Sequence, residues 1–223
     1  MKLITYLRYF FFIAYNWNLR IAWHILQQET KGEKKYGIQS SGFNKLHHLE
    51  KRGIDTEHAT LYMPASYDVL ETVFAQVPLH QCNHFIDIGC GMGRALCVAA
   101  TMGARKLSGI DFSKEFCEAA RKNLLSISAH IKGFEYHIFH NDAFYFEIPT
   151  DADILFLFNP FDEVIMSGVI ENIETSLALH PRKLSIIYVN PQEKYLFLEA
   201  GFEQIYYTCK LQYLEAVILQ KPA

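Results

Sequence analysis

The chain has 223 residues, of which 50% are hydrophobic and 20% charged, and its formal net charge is -3 at pH 7. That length suits a single α/β domain with a substantial core, and the composition excludes a disordered chain. The acidic balance argues against a protein held mainly by nucleic-acid phosphates.

Leu3 to Leu26 is rich in Leu, Ile, Phe, Tyr and Trp. Arg8, Asn16, Asn18 and Arg20 interrupt it, so no unbroken apolar run of spanning length exists. No small-residue cleavage site follows, which counts against a secretory signal. On one helical wheel Lys2, Thr5, Asn16, Arg20, His24 and Gln27 share a broad polar face. Three readings stand for this helix. The first is packing on the rest of the chain or on a second subunit. The second is an interfacial membrane helix with aromatic anchors, and the third a spanning segment. Gly32 to Ser41 reads as a linker, and Lys31, Lys34, Lys35, Lys45, Lys51 and Arg52 as a weakly basic solvated stretch, with a surface for an acidic partner as the second reading. The expected division is therefore 1–52, helix and linker, and 53–223, the main domain.

Tyr62-Met63-Pro64-Ala65-Ser66 precedes a predicted helix from Tyr67 to Val77. His80, Cys82 and His84 then alternate without a second ligand cluster, which suits a loop entering a strand better than a metal site. The five cysteines include no C-x-x-C pair. Their odd number suggests reduced thiols in a cytoplasmic protein.

Phe85-Ile86-Asp87-Ile88 is an apolar strand with an acid near its tip, followed by Gly89-Cys90-Gly91-Met92-Gly93 and a helix beginning at Arg94. Glycines at every second position allow positive φ and let a ligand approach the backbone. The helix start adds unpaired N–H groups. A dinucleotide fingerprint would require a third glycine where Arg94 stands, so the spacing is D-x-G-x-G-x-G instead. Lys106 to Ile110 is a second strand ending at Asp111, 24 residues after Asp87, with Phe112 next to it. A carboxylate there can accept both hydroxyls of a ribose. A helix over Ser113–Ser126 and a strand from Phe134 to Phe139 lead to Asp142-Ala143. Ile154 to Phe158 is a continuous apolar strand, which suits burial on both faces, and it ends in Asn159-Pro160-Phe161. A helix from Glu163 to Leu179 and a strand from Lys183 to Val189 follow. After a short helix from Gln192 to Glu199, two final strands run over 202–209 and 212–219.

From about Gly53 to Leu219 the chain resembles the class I, seven-β-strand methyltransferases that use S-adenosylmethionine (SAM). It looks most like small bacterial members and seven-strand protein-lysine methyltransferases. The resemblance rests on Asp87 with Gly89, Gly91 and Gly93, on Asp111, on Asn159-Pro160-Phe161, and on Tyr62, Pro64 and Ser66, which occupy the places of a Tyr-x-Pro-Ser/Thr loop. It implies a Rossmann-like, doubly wound, mostly parallel sheet of order 3-2-1-4-5-7-6. One strand would be antiparallel, and an extra N-terminal helix would precede the sheet. Asp87, Gly89, Cys90, Gly91 and Gly93 would lie beside the amino-acid part of SAM. Asp111 and Phe112 would flank the ribose, Asp142 and Ala143 the adenine, and Tyr62, Pro64 and Ser66 would close over the cofactor. Cys90 supplies only a small side chain and is no nucleophile.

At the transferred methyl group the resemblance implies Asn159, Pro160, Phe161 and Tyr62. An Asn oxygen can orient an amine, and an aromatic ring can stack on a base or hold a cation. Only one proline precedes Phe161, where nucleobase methylases often carry two, so a protein lysine is the preferred acceptor. The alternatives are a small-molecule or nucleic-acid acceptor, and a SAM-binding protein that methylates nothing. The product would be S-adenosylhomocysteine, with no metal required. A homodimer or membrane-surface contact would run through the N-terminal helix.

Overall fold

The computed structural model describes residues 2–41, 64–158 and 161–222. Two helices open the chain, α1 (Lys2–Asn16) and α2 (Leu19–Tyr36). They correct the expectation of one N-terminal helix. The helix breaks at Trp17–Asn18, where the Asn18 side chain accepts from the Ile21 N–H and caps α2. Tyr6 Oη donates to Glu33 at 2.7 Å, so the helices fold back as a hairpin around Tyr9, Ile13, Ile21, Ala22 and Ile25. The six polar positions placed on one wheel are thereby split between two helices.

The expected linker is also corrected. Gly32 to Tyr36 is the last part of α2, and Gly37 closes it in the left-handed conformation at φ 65°. Ile38 and Ser40 beyond it are buried. Residues 53–56 and the boundary at 52 lie outside the described residues.

The sheet follows the expected order, β3-β2-β1-β4-β5-β7-β6. Its strands are β1 (Phe85–Ile88), β2 (Lys106–Asp111), β3 (Glu135–His140), β4 (Ile154–Phe158), β5 (Leu184–Val189), β6 (Glu203–Lys210) and β7 (Leu214–Lys221). The first five pair in parallel, and β7 runs antiparallel between β5 and β6. One face is covered by α3 (Tyr67–Phe74), α4 (Arg94–Thr101) and α5 (Lys114–Ser128), which bury Val73, Leu96 and Leu124. The other is covered by α6 (Glu163–Leu179) and α7 (Lys194–Glu199), which bury Met166, Ile173 and Phe197. Every residue of β1 and β5 is buried, as strands covered on both faces must be. Strand order reverses between β1 and β4, so the crevice at their carboxyl ends is the place where such sheets bind ligands.

His84 is held structurally. Its ring is 3.0 Å from Asp151 and 2.8 Å from the Ser108 hydroxyl. Among the described residues no three His, Cys, Asp or Glu side chains gather as a metal site.

Candidate active site

The turn after β1 folds back onto the tip of β2. The Gly89 and Cys90 N–H groups both donate to the Ile110 carbonyl at 2.9 Å, and Gly93 N–H closes the turn on the Cys90 carbonyl at 2.8 Å. Gly89, Gly91 and Gly93 have φ of 77°, 51° and 75°, a region that side chains with a Cβ rarely adopt. This conformation packs the turn's backbone against the tip of β2 at the start of α4.

Two carboxylates are buried there. Asp111 Oδ2 accepts from the Gly91 N–H and Oδ1 from the Ser113 N–H, both at 2.8 Å. Each oxygen keeps a lone pair for a further donor. Burial pushes the Asp111 carboxyl up to about 6, against the pull of those N–H groups and of His140. Asp87 is 2% exposed, and among the described residues nothing donates to its carboxylate. Burial first, and the neighbouring Asp111 second, hold its carboxyl well above the usual range. The same surroundings push the Cys90 thiol up, burial most of all, which leaves it a poor nucleophile.

Asp87, Gly89, Cys90, Gly91, Gly93 and Asp111 therefore come together at one turn. Phe112 follows, half-buried, and His140 Nε2 donates to its carbonyl at 2.9 Å. At the end of β3 Asp142 is exposed and accepts from the Phe144 N–H at 2.9 Å, while Ala143 beside it is buried. Ser66 is buried at the start of α3, and its hydroxyl donates to Asp68. Phe161 is half-buried against the α6 face, beside Ile165. Tyr62, Asn159 and Pro160 lie outside the described residues.

Pro64 lines a cavity of about 80 Å³ at the carboxyl ends of β4 and β5. Its wall includes Phe158 and Val189 at the strand ends, Tyr9 and Ile21 of the hairpin, and Tyr213. The wall is mostly apolar, with Ser66, Asn190 and Glu215 as its polar members.

Sequence reasoning missed what lies behind the turn. Arg94, the residue that breaks the dinucleotide pattern, is 3% exposed and grips Glu29 of α2 with two bonds of 2.6 Å. Its Nε donates to Ser40, a further N–H reaches the Ala65 carbonyl, and its guanidinium lies 4.2 Å from the centre of the Tyr67 ring. Tyr36 stacks on the same Tyr67 ring, with centroids 5.4 Å apart. The signal was present in the sequence: Glu29 continues the Ile21, Ile25 spacing, which puts an acid on the apolar face of α2. A second unforeseen knot joins Asp68 to His24 and Lys210. Burial raises the Asp68 carboxyl, but Lys210, Ser66 and His24 outweigh it and hold the group below its ordinary value.

Comparison with known proteins agrees with this geometry. Residues 85–178 match the family model of the methyltransferase domain. Among solved structures, the magnesium protoporphyrin IX methyltransferase of Synechocystis with bound SAM is 17% identical. That match covers 69% of this chain and 77% of that one, with a TM-score of 0.53. The ribosomal protein L11 methylase of Lactobacillus delbrueckii is 14% identical over 70% of this chain and 78% of its own, with a TM-score of 0.51. An RNA methyltransferase of Salinibacter ruber in complex with S-adenosylhomocysteine is 16% identical over 72% and 94%, with a TM-score of 0.52. At such identities the likeness is one of fold, and a porphyrin, a protein and an RNA enzyme share it. Among curated proteins no sequence matches.

Proposed function

We propose that this SAM-dependent methyltransferase places the methyl group on an amine nitrogen at the end of an aliphatic chain, a protein lysine being the preferred acceptor. The observation that carries the reading is Asp87: a buried carboxylate without a donor among the described residues, at a turn whose three glycines have positive φ. Leaving an acid so placed is costly unless a cationic ligand completes it. SAM is cationic at both its amino group and its sulfur, so the residues present fit it.

Asp87 and the turn's backbone would hold the amino-acid part of SAM. Asp111 would accept the ribose hydroxyls through the lone pairs its backbone bonds leave free. Asp142 and Ala143 would face the adenine, and Phe112, Tyr62, Pro64 and Ser66 would enclose the cofactor. When bound, SAM supplies a methyl carbon made electrophilic by its positive sulfur and leaves as S-adenosylhomocysteine. The chain's own work is to align the acceptor and to exclude water.

The mostly apolar crevice beside β4 supports the choice of acceptor: its wall of Phe158, Val189, Tyr9 and Ile21 suits the methylene chain of a lysine. An ammonium entering an apolar slot loses its proton more readily, because burial disfavours its charge. Asn159 would orient the resulting amine, with Pro160 setting the turn and Phe161 and Tyr62 walling the channel.

Labelled methyl transfer from SAM into fractionated host-cell extract tests this, with Asp111→Ala as the control. Label in the protein fraction that vanishes in the variant is the expected result. Label confined to nucleic acid or small molecules would overturn the lysine assignment but leave the enzyme class. Intact SAM binding with no label in any fraction would favour a SAM-binding protein that methylates nothing. Asn159→Ala is expected to lower turnover and leave SAM affinity unchanged, and undiminished turnover would remove it from the catalytic set.

A further inference from the structure

The outer side of the helical hairpin is unlike the rest of the surface. On α1, Ile4, Leu7, Phe11 and Tyr15 fall three or four residues apart and form one exposed stripe opposite the buried Tyr9 and Ile13. Around the turn, Trp17, Leu19 and Trp23 are exposed as well, and Tyr15 is 92% accessible. Arg8 flanks the stripe and Arg20 the turn, both are exposed, and neither pairs with an acid among the described residues. Residues 1–28 contain Lys2, Arg8 and Arg20 and no Asp or Glu. With +3 in this segment and -3 overall, the rest of the chain carries -6.

We propose that the outer face of the hairpin is a seat for an anionic lipid surface, with the aromatic and aliphatic side chains bedded among the headgroups. The combination is that of an interfacial helix: Trp and Tyr prefer the headgroup level, and cations without acids are drawn to anionic lipid. No helix among the described residues is long and apolar enough to cross a membrane, so the hairpin lies on the surface. A second copy is the less suitable occupant, because a two-fold contact would set this cationic face against itself. The inner face of the same hairpin walls the cavity beside β4 through Tyr9, Ile13 and Ile21. Seating the outer face on lipid therefore brings that cavity close to the membrane surface.

Sedimentation of the full chain with vesicles tests the proposal without reference to methyl transfer, so its failure and that of the enzymatic reading are separable. The probes are phosphatidylcholine vesicles with and without about one-third phosphatidylglycerol. Binding to the anionic vesicles at least about tenfold stronger than to the neutral ones, and weakened by salt, is expected. Arg8→Gln with Arg20→Gln should remove most of that preference. Phe11→Ser with Trp23→Ser should weaken binding to both vesicle types while the melting temperature stays at the wild-type value, since both side chains are exposed. Equal partition of wild type and variants, or no vesicle binding together with a dimer in light scattering, would overturn the proposal.

Discussion

Arg94 and Asp87 stand seven residues apart, and both are buried, yet their surroundings are opposite. Arg94 has a carboxylate, a hydroxyl, a carbonyl and an aromatic face around it. Asp87 has a like-charged neighbour and, among the described residues, no donor. Both sites put charge where water is scarce, which is tolerable only when partners replace the water. At Arg94 the protein supplies those partners itself, so the pair clamps the hairpin to the start of α4. At Asp87, on the proposed function, SAM would be that partner. The contrast is between a buried group that the chain satisfies itself and one that it does not.

The largest expected effect breaks the clamp. Arg94→Leu strands Glu29 as a buried lone charge and should lower stability by about 3–5 kcal/mol in chemical denaturation. Arg94→Leu combined with Glu29→Leu should recover a large part of that loss, and a double variant no better than the single would show that the pair is not the source. On the ligand side, Asp111→Ala should weaken SAM binding by about 100-fold in calorimetry, the equivalent of two charge-assisted hydrogen bonds. Equal affinity in variant and wild type would remove Asp111 from the cofactor site. Gly32→Ala probes the seat of the hairpin more gently. A Cβ there would lie 2.1 Å from the Tyr67 ring, so a loss of about 1–3 kcal/mol is expected, read as a lower melting temperature.

The smallest effect is a pH dependence, and it sharpens the contrast. The Asp111 carboxyl is raised from 3.8 to about 6 in the ligand-free fold. Its contribution to stability is therefore fully present below about pH 4 and is lost as pH rises through about 6. Ligand-free protein should become less stable over that interval from this group. SAM affinity should move the other way and rise about tenfold from pH 5 to pH 7, as the acceptor form becomes populated. An affinity that is flat across this interval would contradict the assignment of Asp111 as the ribose acceptor.

The sheet was largely legible in the sequence because each strand announces itself locally. Ile154 to Phe158 and Glu163 to Leu179 occupy the expected positions, and the other elements end within about three residues of the expected ends. The glycine turn was legible for the same reason, since its spacing and the acids at two strand tips are local patterns. The N-terminal region was not. Its break depends on one capping side chain, Asn18, between two long apolar stretches that each read as helix. The end of α2 hides in a charged stretch that looks like linker, because Gly32 serves close packing under Tyr67 and Gly37 serves the cap. Arg94 was legible only as a departure from another family's fingerprint, since its partner lies 65 residues earlier in the chain.

The most direct test of the account compares Asp87→Asn with wild type, measuring thermal stability without ligand and SAM affinity by calorimetry on the same preparations. Asparagine keeps the shape and removes the ionisable group. The account predicts a melting temperature at or above that of wild type together with a SAM affinity reduced at least about tenfold, since one charge-assisted contact is lost. A lower melting temperature with unchanged SAM affinity would contradict it and make Asp87 a structural acid.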